Sequence, residues 1–346
     1  YKVKLITSDQ GFNEKSHKFL TKNIIYAKSI LPYPYSHSYK IDNLLLKNNS
    51  SLIDLQGLWT PYSLITLNFY MKKKIPYIIT THGMLDNYAN SSSNLKKRLA
   101  LLLYESKCLK HAKAFRVTSK RELINLRKFG IKQPIAVIPH GIDNKLNYNY
   151  GNIKSKINSK TIIYVGRLHP IKNIESLLKA WSLINKEFAN WKLIIAGVGE
   201  KKYTQKLFKY SEKLEISNLE WIGYVNNQEK NILIKNASAL ILPSLSENYG
   251  LVIAESLSLG TPVIFSNQTP WQQLERFNCG LCTSIDPESI SLNIKKFIKF
   301  DFKKKYEMTI RSLEYANLNL SWDHIACEIN QFYEWVKSMK KEKPSS

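Results

Sequence analysis

Short runs of apolar and β-branched residues alternate with stretches of helical periodicity along the chain. The runs at 76–83, 160–168 and 191–199, for example, read as buried strands, and a helical pattern follows each of them. Alternating strands and helices are typical of parallel sheets that carry helices on both faces. The pattern therefore predicts an α/β protein.

A polar stretch divides this pattern into two series. Residues 143–160 are rich in Asn, Lys and Gly and lack apolar periodicity, which is typical of a linker. The flanking segments, 1–142 and 161–318, each predict a doubly wound, Rossmann-like domain, and residues 319–346 predict an amphipathic helix with a basic tail. Ligands bind at the carboxyl ends of strands in such sheets, so we expect the site in the cleft between the domains. The apolar stripe predicted for the last helix is Ile325, Ile329, Phe332 and Trp335.

The composition is that of a folded protein, with 44% hydrophobic and 12% aromatic residues. No apolar run approaches the roughly 20 residues that a membrane-spanning helix needs. The four cysteines are too few for a disulfide scaffold, which favours a reducing, cytoplasmic setting. Cys279 and Cys282 form a C-x-x-C pair, but neither a second pair nor a strand-to-helix context supports a zinc or thioredoxin-like site.

The net charge of +24 is concentrated in the first half of the chain, where residues 1–150 hold 24 Lys and Arg against 8 Asp and Glu. This excess suggests an acidic partner such as anionic lipid, nucleic acid or a phosphorylated substrate. A general enrichment in lysine would have the same effect, and both explanations stay open. No nucleic-acid recognition module is present, so we expect no specific nucleic-acid binding.

A leucine- and lysine-rich helix is predicted over 94–112. We expect its leucines to face the core, namely Leu95, Leu99, Leu102 and Leu109. Its lysines fall largely elsewhere, and with a second lysine cluster they would form either a surface for an anionic membrane or a merely solvated face. The lysines assigned to a membrane surface are Lys72, Lys73, Lys74, Lys96 and Lys97.

The stretch 246–264, SENYGLVIAESLSLGTPVI, holds two glutamates eight positions apart, Glu247 and Glu255. It predicts a turn, a short helix that starts near Gly250 and stops at Gly260, and a following strand. Backbone amides at the start of such a helix suit a phosphate, whereas a carboxylate beside that phosphate has to face neutral hydroxyls. A nucleotide sugar has hydroxyls on both sides of a diphosphate, which would place Glu247 on the sugar and Glu255 on the ribose.

With its strand, turn, glycine and helix, this E-x7-E stretch resembles the matching motif of the family 4 glycosyltransferases, over about residues 1–338. The resemblance implies the GT-B fold, in which two Rossmann-like domains flank a cleft and a C-terminal crossover helix returns to the first domain. It also implies transfer of a hexose from a nucleotide sugar with retention of anomeric configuration, often to a lipid-linked acceptor.

The stretch 165–173, VGRLHPIKN, follows the first strand of the second domain and places Arg167 and Lys172 on either side of a turn. A planar guanidinium and an ammonium group commonly converge on a diphosphate. Family 4 members show the same G-R-x-x-x-x-K pattern, and the resemblance implies that the pair neutralises the departing nucleotide diphosphate.

Further matches lie in both domains. TTHGML puts His82 at the end of a strand, and the resemblance implies that His82 contacts the donor sugar while Gly83 allows a close approach. LQGLWT resembles the family's H-G-L-W element, but Gln56 replaces the histidine, so the role of that histidine is in doubt here. His140 in IPHGID is expected to be structural, and WIGYV matches the region where the family's base ring rests.

The resemblance thus assigns one set of residues to catalysis and another to donor binding. The catalytic set is Glu247, Arg167, Lys172 and His82, and the donor-binding set is Glu255, Asn248, Tyr249, Gly250, Leu251, Gly166, Gly83, Gly223, Tyr224 and Val225.

Some motifs are absent from the sequence. No D-x-D motif occurs, so we expect neither a metal-held diphosphate nor any cofactor besides the nucleotide sugar, and Arg167, Lys172 and the helix dipole would neutralise the charge instead. No G-x-x-x-x-G-K-[ST] motif occurs, which argues against a P-loop NTPase. The family's first strand and glycine-rich loop normally precede KVKLIT, so we expect that a piece upstream of Tyr1 is missing.

The sequence therefore predicts a metal-independent, retaining glycosyltransferase that acts on a glycan or lipid-linked acceptor in cell-surface polysaccharide synthesis. We expect it in the cytoplasm or at the inner face of the cytoplasmic membrane. Two alternatives stay open. One is another GT-B enzyme, such as a nucleotide-sugar epimerase or a phosphorylase, and the other is a non-catalytic protein that binds membranes or polyanions.

Overall fold

The computed structural model describes most of the chain, in two compact units. Unit 1 comprises Tyr1–Ile138 with Cys327–Ser346, and unit 2 comprises Pro139–Ala326. The described residues are 3–8, 24–27, 40–47, 50–85, 99–143 and 150–338.

The described strands of unit 1 pair in parallel. A two-stranded sheet joins β1 (Leu5–Ser8) and β2 (Ile24–Ala27). A four-stranded sheet follows in chain order, and its central strands β4 and β5 are buried along their whole length. Its members are β3 (Ile53–Gln56), β4 (Tyr77–Thr80), β5 (Ala114–Val117) and β6 (Ile135–Val137).

Helices cover this sheet, and two of them were not predicted. α1 (Lys40–Lys47) carries Ile41, Leu44 and Leu45 at helical spacing, whereas α2 (Pro61–Lys73) lacks a clear helical signal beyond the Pro at its start. A π-helical turn, Leu101–Glu105, runs directly into α3 (Ser106–His111), and α4 (Lys120–Phe129) follows β5.

The predicted caps of α4 are confirmed. The Ser119 hydroxyl accepts a hydrogen bond from the Glu122 amide at 3.2 Å, and Gly130 ends the helix in the left-handed region at φ +101°. Local chemistry is therefore enough to define the bounds of this helix.

The predicted orientation is wrong for two of the leucines, Leu99 and Leu102. Leu99 is 52% exposed and Leu102 is 78% exposed, and the neighbouring Leu103 is 71% exposed. Leu109 is buried as expected. Leu102 and Leu103 lie inside the π-helical turn and Leu99 precedes it; the extra residue of this turn changes the helical register, and all three leucines point away from the buried face. That face is formed by Glu105, Cys108, Leu109 and Ala112. Leu95, Lys96 and Lys97 lie outside the described residues.

Unit 2 contains a six-stranded parallel sheet in the order β9-β8-β7-β10-β11-β12. The strand order reverses between β7 and β10, and ligands bind at such a switch point in open α/β sheets. The strands are β7 (Thr161–Val165), β8 (Lys192–Ala196), β9 (Leu219–Gly223), β10 (Ala239–Leu242), β11 (Val263–Ser266) and β12 (Gly280–Thr283).

Helices flank the sheet of unit 2 and enclose a core that includes Trp181 and Phe265, both fully buried. The helices are α5 (Tyr150–Ile157), α6 (Ile174–Ser182), α7 (Lys201–Lys213), α8 (Asn227–Asn236), α9 (Leu251–Ser258), α10 (Gln273–Arg276), α11 (Pro287–Lys299) and α12 (Phe302–Leu320).

Part of the predicted linker is helical. α5 lies inside the segment 143–160, and its side chains Ile153 and Ile157 are buried in unit 2. Lys156 is also buried, and its ammonium group donates to the Leu259 carbonyl and, at 2.8 Å, to the Thr261 hydroxyl. The polar composition gives little helical signal in the sequence. Two isoleucines one turn apart are nevertheless enough to anchor the helix in the core of unit 2.

The last helix, α13 (Trp322–Ser338), begins in unit 2, and its residues from Cys327 onward belong to unit 1. Its buried side chains include Ile325, Phe332 and Val336, whereas Trp335 is 45% exposed and does not belong to the predicted stripe.

Candidate active site

Two loops meet at the switch point of unit 2, one after β7 and one after β10. The Leu245 amide donates to the Ile171 carbonyl at 2.8 Å, and the Asn173 side chain donates to the Pro243 carbonyl at 3.2 Å. Asn173 adopts the left-handed conformation, at φ +56°. These bonds hold the G-R-x-x-x-x-K loop against the loop that precedes α9.

The cross-braced loops bring Lys172 and Glu247 into contact. The Lys172 ammonium group forms a short hydrogen-bonded ion pair with Glu247 Oε1, and the Ser244 hydroxyl donates to the same oxygen at 2.8 Å. The two charged side chains are only 20% and 10% exposed. A half-buried ammonium and a carboxylate are therefore presented together at the position where this class of sheet binds ligands.

Arg167 belongs to the same loop and has an exposed side chain. Its carbonyl accepts a hydrogen bond from the buried Tyr164 hydroxyl at 3.0 Å, which anchors the start of the loop. Burial lowers the pKa of His169, and the nearby charges of Arg167 and Lys172 lower it further. Both predicted basic residues thus contribute to one region of positive potential.

The turn before α9 is held from several sides. Gly250, the residue before the helix, adopts the left-handed conformation at φ +77°. The indole N–H of buried Trp271 donates to the Tyr249 carbonyl, and the Tyr249 hydroxyl donates to the His140 carbonyl at 3.2 Å. The rings of His140 and Tyr249 also pack edge to face, with centroids 5.3 Å apart, so His140 helps to hold the turn.

Beyond this turn, the first amides of α9 point out of its N-terminus without helical partners, as in every α-helix. Leu251, the first helical residue, is 45% exposed, and Asn248 is half-buried. The predicted residues Asn248, Tyr249, Gly250 and Leu251 therefore form one rigid turn directly after Glu247.

The second glutamate of the motif is also paired. The Lys230 ammonium, on α8, lies 2.6 Å from Glu255 Oε1, and both side chains are about one-fifth exposed. Nothing in the sequence distinguished Lys230 from the other lysines, because its pairing depends on the packing of α8 beside α9. Each glutamate of the E-x7-E motif thus has a lysine partner.

Glycines allow the neighbouring loops to pack closely. A Cβ atom at Gly197 would lie 1.8 Å from the Gly166 carbonyl oxygen, and one at Gly199 would lie 2.0 Å from the Leu168 carbonyl oxygen. The Gly197 amide donates to the Gly223 carbonyl at 2.7 Å. The G-V-G sequence after a strand was a signal for this close approach that the motif search did not use.

The predicted base-binding residues lie at the end of β9 and directly after it. Gly223 adopts φ +77°, Tyr224 is 74% exposed and Val225 is half-buried. Their segment is connected to the Lys172 loop through the glycine contacts of Gly197.

The TTHG segment of unit 1 is built around a buried carboxylate. Glu122 accepts hydrogen bonds from the Thr81 hydroxyl at 2.6 Å, the Gly83 amide at 2.5 Å and the Thr118 amide at 2.8 Å. His82 lies between two of these donors and adopts the left-handed conformation at φ +49°. Glu122 thus determines the conformation around His82, a role that its predicted place near a helix cap did not reveal.

The side chain of His82 contacts Gln56, the residue that departs from the family pattern. His82 Nε2 lies 2.8 Å from Gln56 Oε1. Burial lowers the pKa of His82, which favours the neutral imidazole.

The described part of the chain also bears on metal binding and on membrane spanning. No group of three or more His, Cys, Asp or Glu side chains there is placed to hold a metal ion. No helix in that part is both long enough and apolar enough to cross a membrane.

The structure thus gathers the predicted residues in two places. Unit 2 brings Gly166, Arg167, Lys172 and the segment 247–251 to one switch point, with Glu255 on the following helix. His82 and Gly83 form their own segment in unit 1.

The architecture matches a known class of transferase. A crystal structure of HepE from Anabaena in complex with UDP and glucose matches 90% of this chain and 86% of its own length, with a TM-score of 0.72 and 15% identity. The fold is the two-domain α/β fold of the GT-B glycosyltransferases.

Family models match both halves of the chain. Residues 1–146 match the model described as Glycosyltransferase Family 4, and residues 152–312 match the model described as Glycosyl transferases group 1. The chain belongs to the family 4 glycosyltransferases and is a transferase enzyme.

Curated relatives carry the same class of activity in their names. An uncharacterized glycosyltransferase of Haemophilus influenzae is 27% identical over 276 residues, which are 75% of this chain and 70% of that protein. The alpha-monoglucosyldiacylglycerol synthase of Streptococcus pneumoniae is 28% identical over 61% of this chain. The chain spans about half the length of that synthase.

Proposed function

We propose that the switch point of unit 2 binds a nucleotide-activated hexose. Arg167, Lys172 and the first amides of α9 would face the diphosphate, Glu247 the sugar hydroxyls and Glu255 the ribose. The observation that carries this proposal is the contact of Lys172 with Glu247 directly before the N-terminus of α9. A cation beside a helix start suits phosphate, and a carboxylate beside them suits hydroxyl groups.

The resemblance to family 4 implies further donor contacts. His82 and Gly83 would contact the sugar, and the backbone at Gly223, Tyr224 and Val225 would support the base. Gly166, Asn248, Tyr249, Gly250 and Leu251 would line the phosphates. That HepE was crystallised with UDP and glucose supports a nucleotide-sugar donor in this fold class.

We propose a retaining transfer on one face of the sugar. The bond between the anomeric carbon and the phosphate oxygen breaks, the acceptor oxygen bonds to that carbon, and the acceptor proton passes to the leaving phosphate oxygen. Arg167, Lys172 and the helix dipole would stabilise the leaving diphosphate without a metal ion or a further cofactor, which is the largest catalytic contribution expected here.

The proposed acceptor is a glycan or a lipid-linked glycan of a cell-surface polysaccharide. The name of the Streptococcus pneumoniae relative, a synthase of a glucosylated diacylglycerol, is in line with a lipid-linked acceptor. We place the enzyme in the cytoplasm, at the inner face of the cytoplasmic membrane.

Exposed leucines beside lysines support this membrane location. The solvent face of the segment 99–111 carries Leu102 and Leu103 in its first half and Lys107 and Lys110 in its second half. α2 packs against this segment and ends in the exposed lysines Lys72, Lys73 and Lys74. Apolar side chains next to cations fit an anionic bilayer, because the lysines bind the headgroups while the leucines enter the acyl boundary.

A donor titration tests the proposed function. Nucleotide sugars with different bases and hexoses are titrated against the whole chain by ligand-observed NMR, with and without EDTA, and turnover is measured with the donor that binds. We expect one donor to bind independently of EDTA. Glu247→Ala or Lys172→Ala should abolish transfer without unfolding the protein, whereas the exposed control Lys192→Ala should not. Binding of no nucleotide sugar, or wild-type turnover in either variant, would contradict the proposal.

A further inference from the structure

A row of polar side chains crosses the carboxyl ends of two strands in unit 1. Asp54 and Gln56 lie two residues apart on β3, so their side chains share one face of the sheet. Thr80, the last residue of β4, is the register partner of Gln56. Thr80 is fully buried and Asp54 is half-buried, so their polar atoms need partners within the protein, whereas Gln56 lies at the exposed end of the row.

Asp54 sets the direction of the hydrogen bonds. Its Oδ1 accepts from the Thr80 hydroxyl at 2.8 Å, and its Oδ2 accepts from the Tyr333 hydroxyl of α13 at 2.7 Å. Burial raises the pKa of Asp54, while the bonds from Tyr333 and Thr80 and the charge of Arg116 oppose that rise. A carboxylate only accepts hydrogen bonds, so both hydroxyl protons point toward it.

The side-chain amide of Gln56 links Thr80 to His82, and its orientation follows from the hydrogen bond with Thr80. The Thr80 proton is directed at Asp54, so the Thr80 oxygen can only accept, and Gln56 Nε2 is its donor at 3.4 Å. The amide oxygen of Gln56 consequently faces His82 Nε2, at 2.8 Å. Since an amide oxygen is an acceptor, the proton of the neutral His82 ring lies on Nε2.

We propose that Gln56 and Tyr333 are positioning residues that hold His82 as the Nε2-protonated imidazole, with Nδ1 as a hydrogen-bond acceptor. The use of this acceptor for a donor-sugar hydroxyl rests on the proposed function. Tyr333 contributes because it anchors Asp54 from the last helix. A histidine at position 56 could serve as donor or acceptor, whereas the glutamine amide has one fixed donor end and one fixed acceptor end.

Nitrogen NMR of the histidine rings tests this directly. The full chain is labelled with ¹⁵N, the ring nitrogens are observed at pH 7.5 without any donor, and His82 is assigned by the loss of its signals in His82→Gln. We expect a protonated-type Nε2 and an unprotonated-type Nδ1 in the wild type. In Gln56→Met the ¹⁵N chemical shifts of both ring nitrogens should move toward their common average, because the two tautomers exchange. Tyr333→Phe should move these chemical shifts in the same direction by a smaller amount.

Gln133→Met provides a matched control in the same unit. The Gln133 side chain donates to the Leu109 carbonyl at 2.9 Å and takes no part in the row, so the His82 signals should stay unchanged. An Nδ1-protonated His82 in the wild type overturns the proposal, even if no variant folds. Unchanged His82 signals in a folded Gln56→Met also overturn it.

The outcome is independent of the proposed function, because no nucleotide sugar is present. If the tautomer is as expected and no donor binds in the separate titration, the proposed function fails while the positioning of His82 stands. If a donor binds and His82 carries its proton on Nδ1, the proposed function stands while the positioning of His82 fails.

Discussion

The contact between Lys172 and Glu247 allows the energetics of the site to be measured. Lys172→Met keeps most of the side-chain length but leaves the carboxylate with Ser244 as its hydrogen-bond donor. Removing one partner of a buried ion pair costs about 3–5 kcal/mol. Because Glu247 keeps 10% exposure and the Ser244 bond, we expect a loss of about 2 kcal/mol in the free energy of unfolding for Lys172→Met.

Removing the carboxylate instead of the ammonium group should cost less free energy of unfolding. In Glu247→Gln the flexible Lys172 side chain, already 20% exposed, can turn toward water, so we expect a loss of about 1 kcal/mol. The double variant contains no unpaired charge. Its loss should therefore be smaller than the sum of the two single losses, with a coupling energy of about 1–2 kcal/mol.

Urea unfolding of the whole chain measures these differences. Five of the seven tryptophans lie in unit 2, so tryptophan fluorescence reports chiefly on that unit. The control pair Lys192 and Glu220 has its charged atoms 2.9 Å apart but side chains about half exposed, and it should show weaker coupling. If the loss in the double variant equals the sum of the two single losses to within about 0.5 kcal/mol, the proposed interaction is refuted.

Two further predictions concern unit 1. Burial raises the pKa of Glu105 from 4.5 to about 7, so the folded state binds the proton more tightly than the unfolded state. The resulting stabilisation of the fold, up to about 3 kcal/mol, is fully present below pH 4.5. It is lost as the pH rises through 7. Glu105→Gln should flatten the unfolding free energy between pH 5 and 8, and an unchanged slope would contradict this. Leu102→Ser combined with Leu103→Ser should weaken sedimentation with anionic vesicles severalfold, whereas Leu292→Ser, at a 65% exposed leucine of unit 2, should not. Equal losses in both variants would argue against a specific membrane surface.

Much of the fold and part of the site could be predicted because the signals are local. The alternation of strands and helices, the cap at Ser119 and the stop at Gly130 depend on neighbouring residues alone. The loop with Arg167 and Lys172 and the loop with Glu247 could be placed near each other because both follow parallel strands. Their loops therefore meet wherever those strands are adjacent.

The tertiary structure decided the pairings between distant segments. Glu122 supports the segment of His82 from another element, and Lys230 neutralises Glu255 across two helices. Tyr333 reaches Asp54 from almost 280 positions along the chain. Such contacts depend on strand order and helix packing, which sequence periodicity does not specify.

Local patterns also failed where packing overrode them. The π-helical turn after Ala100 exposes Leu102, although its spacing from Leu109 resembled a core stripe. The polar segment 150–157 forms a helix because two isoleucines find a buried place in unit 2. Periodicity thus predicted most of the strands and helices, whereas the burial available in the folded units decided whether a polar segment forms a helix and which faces of the elements lie inside.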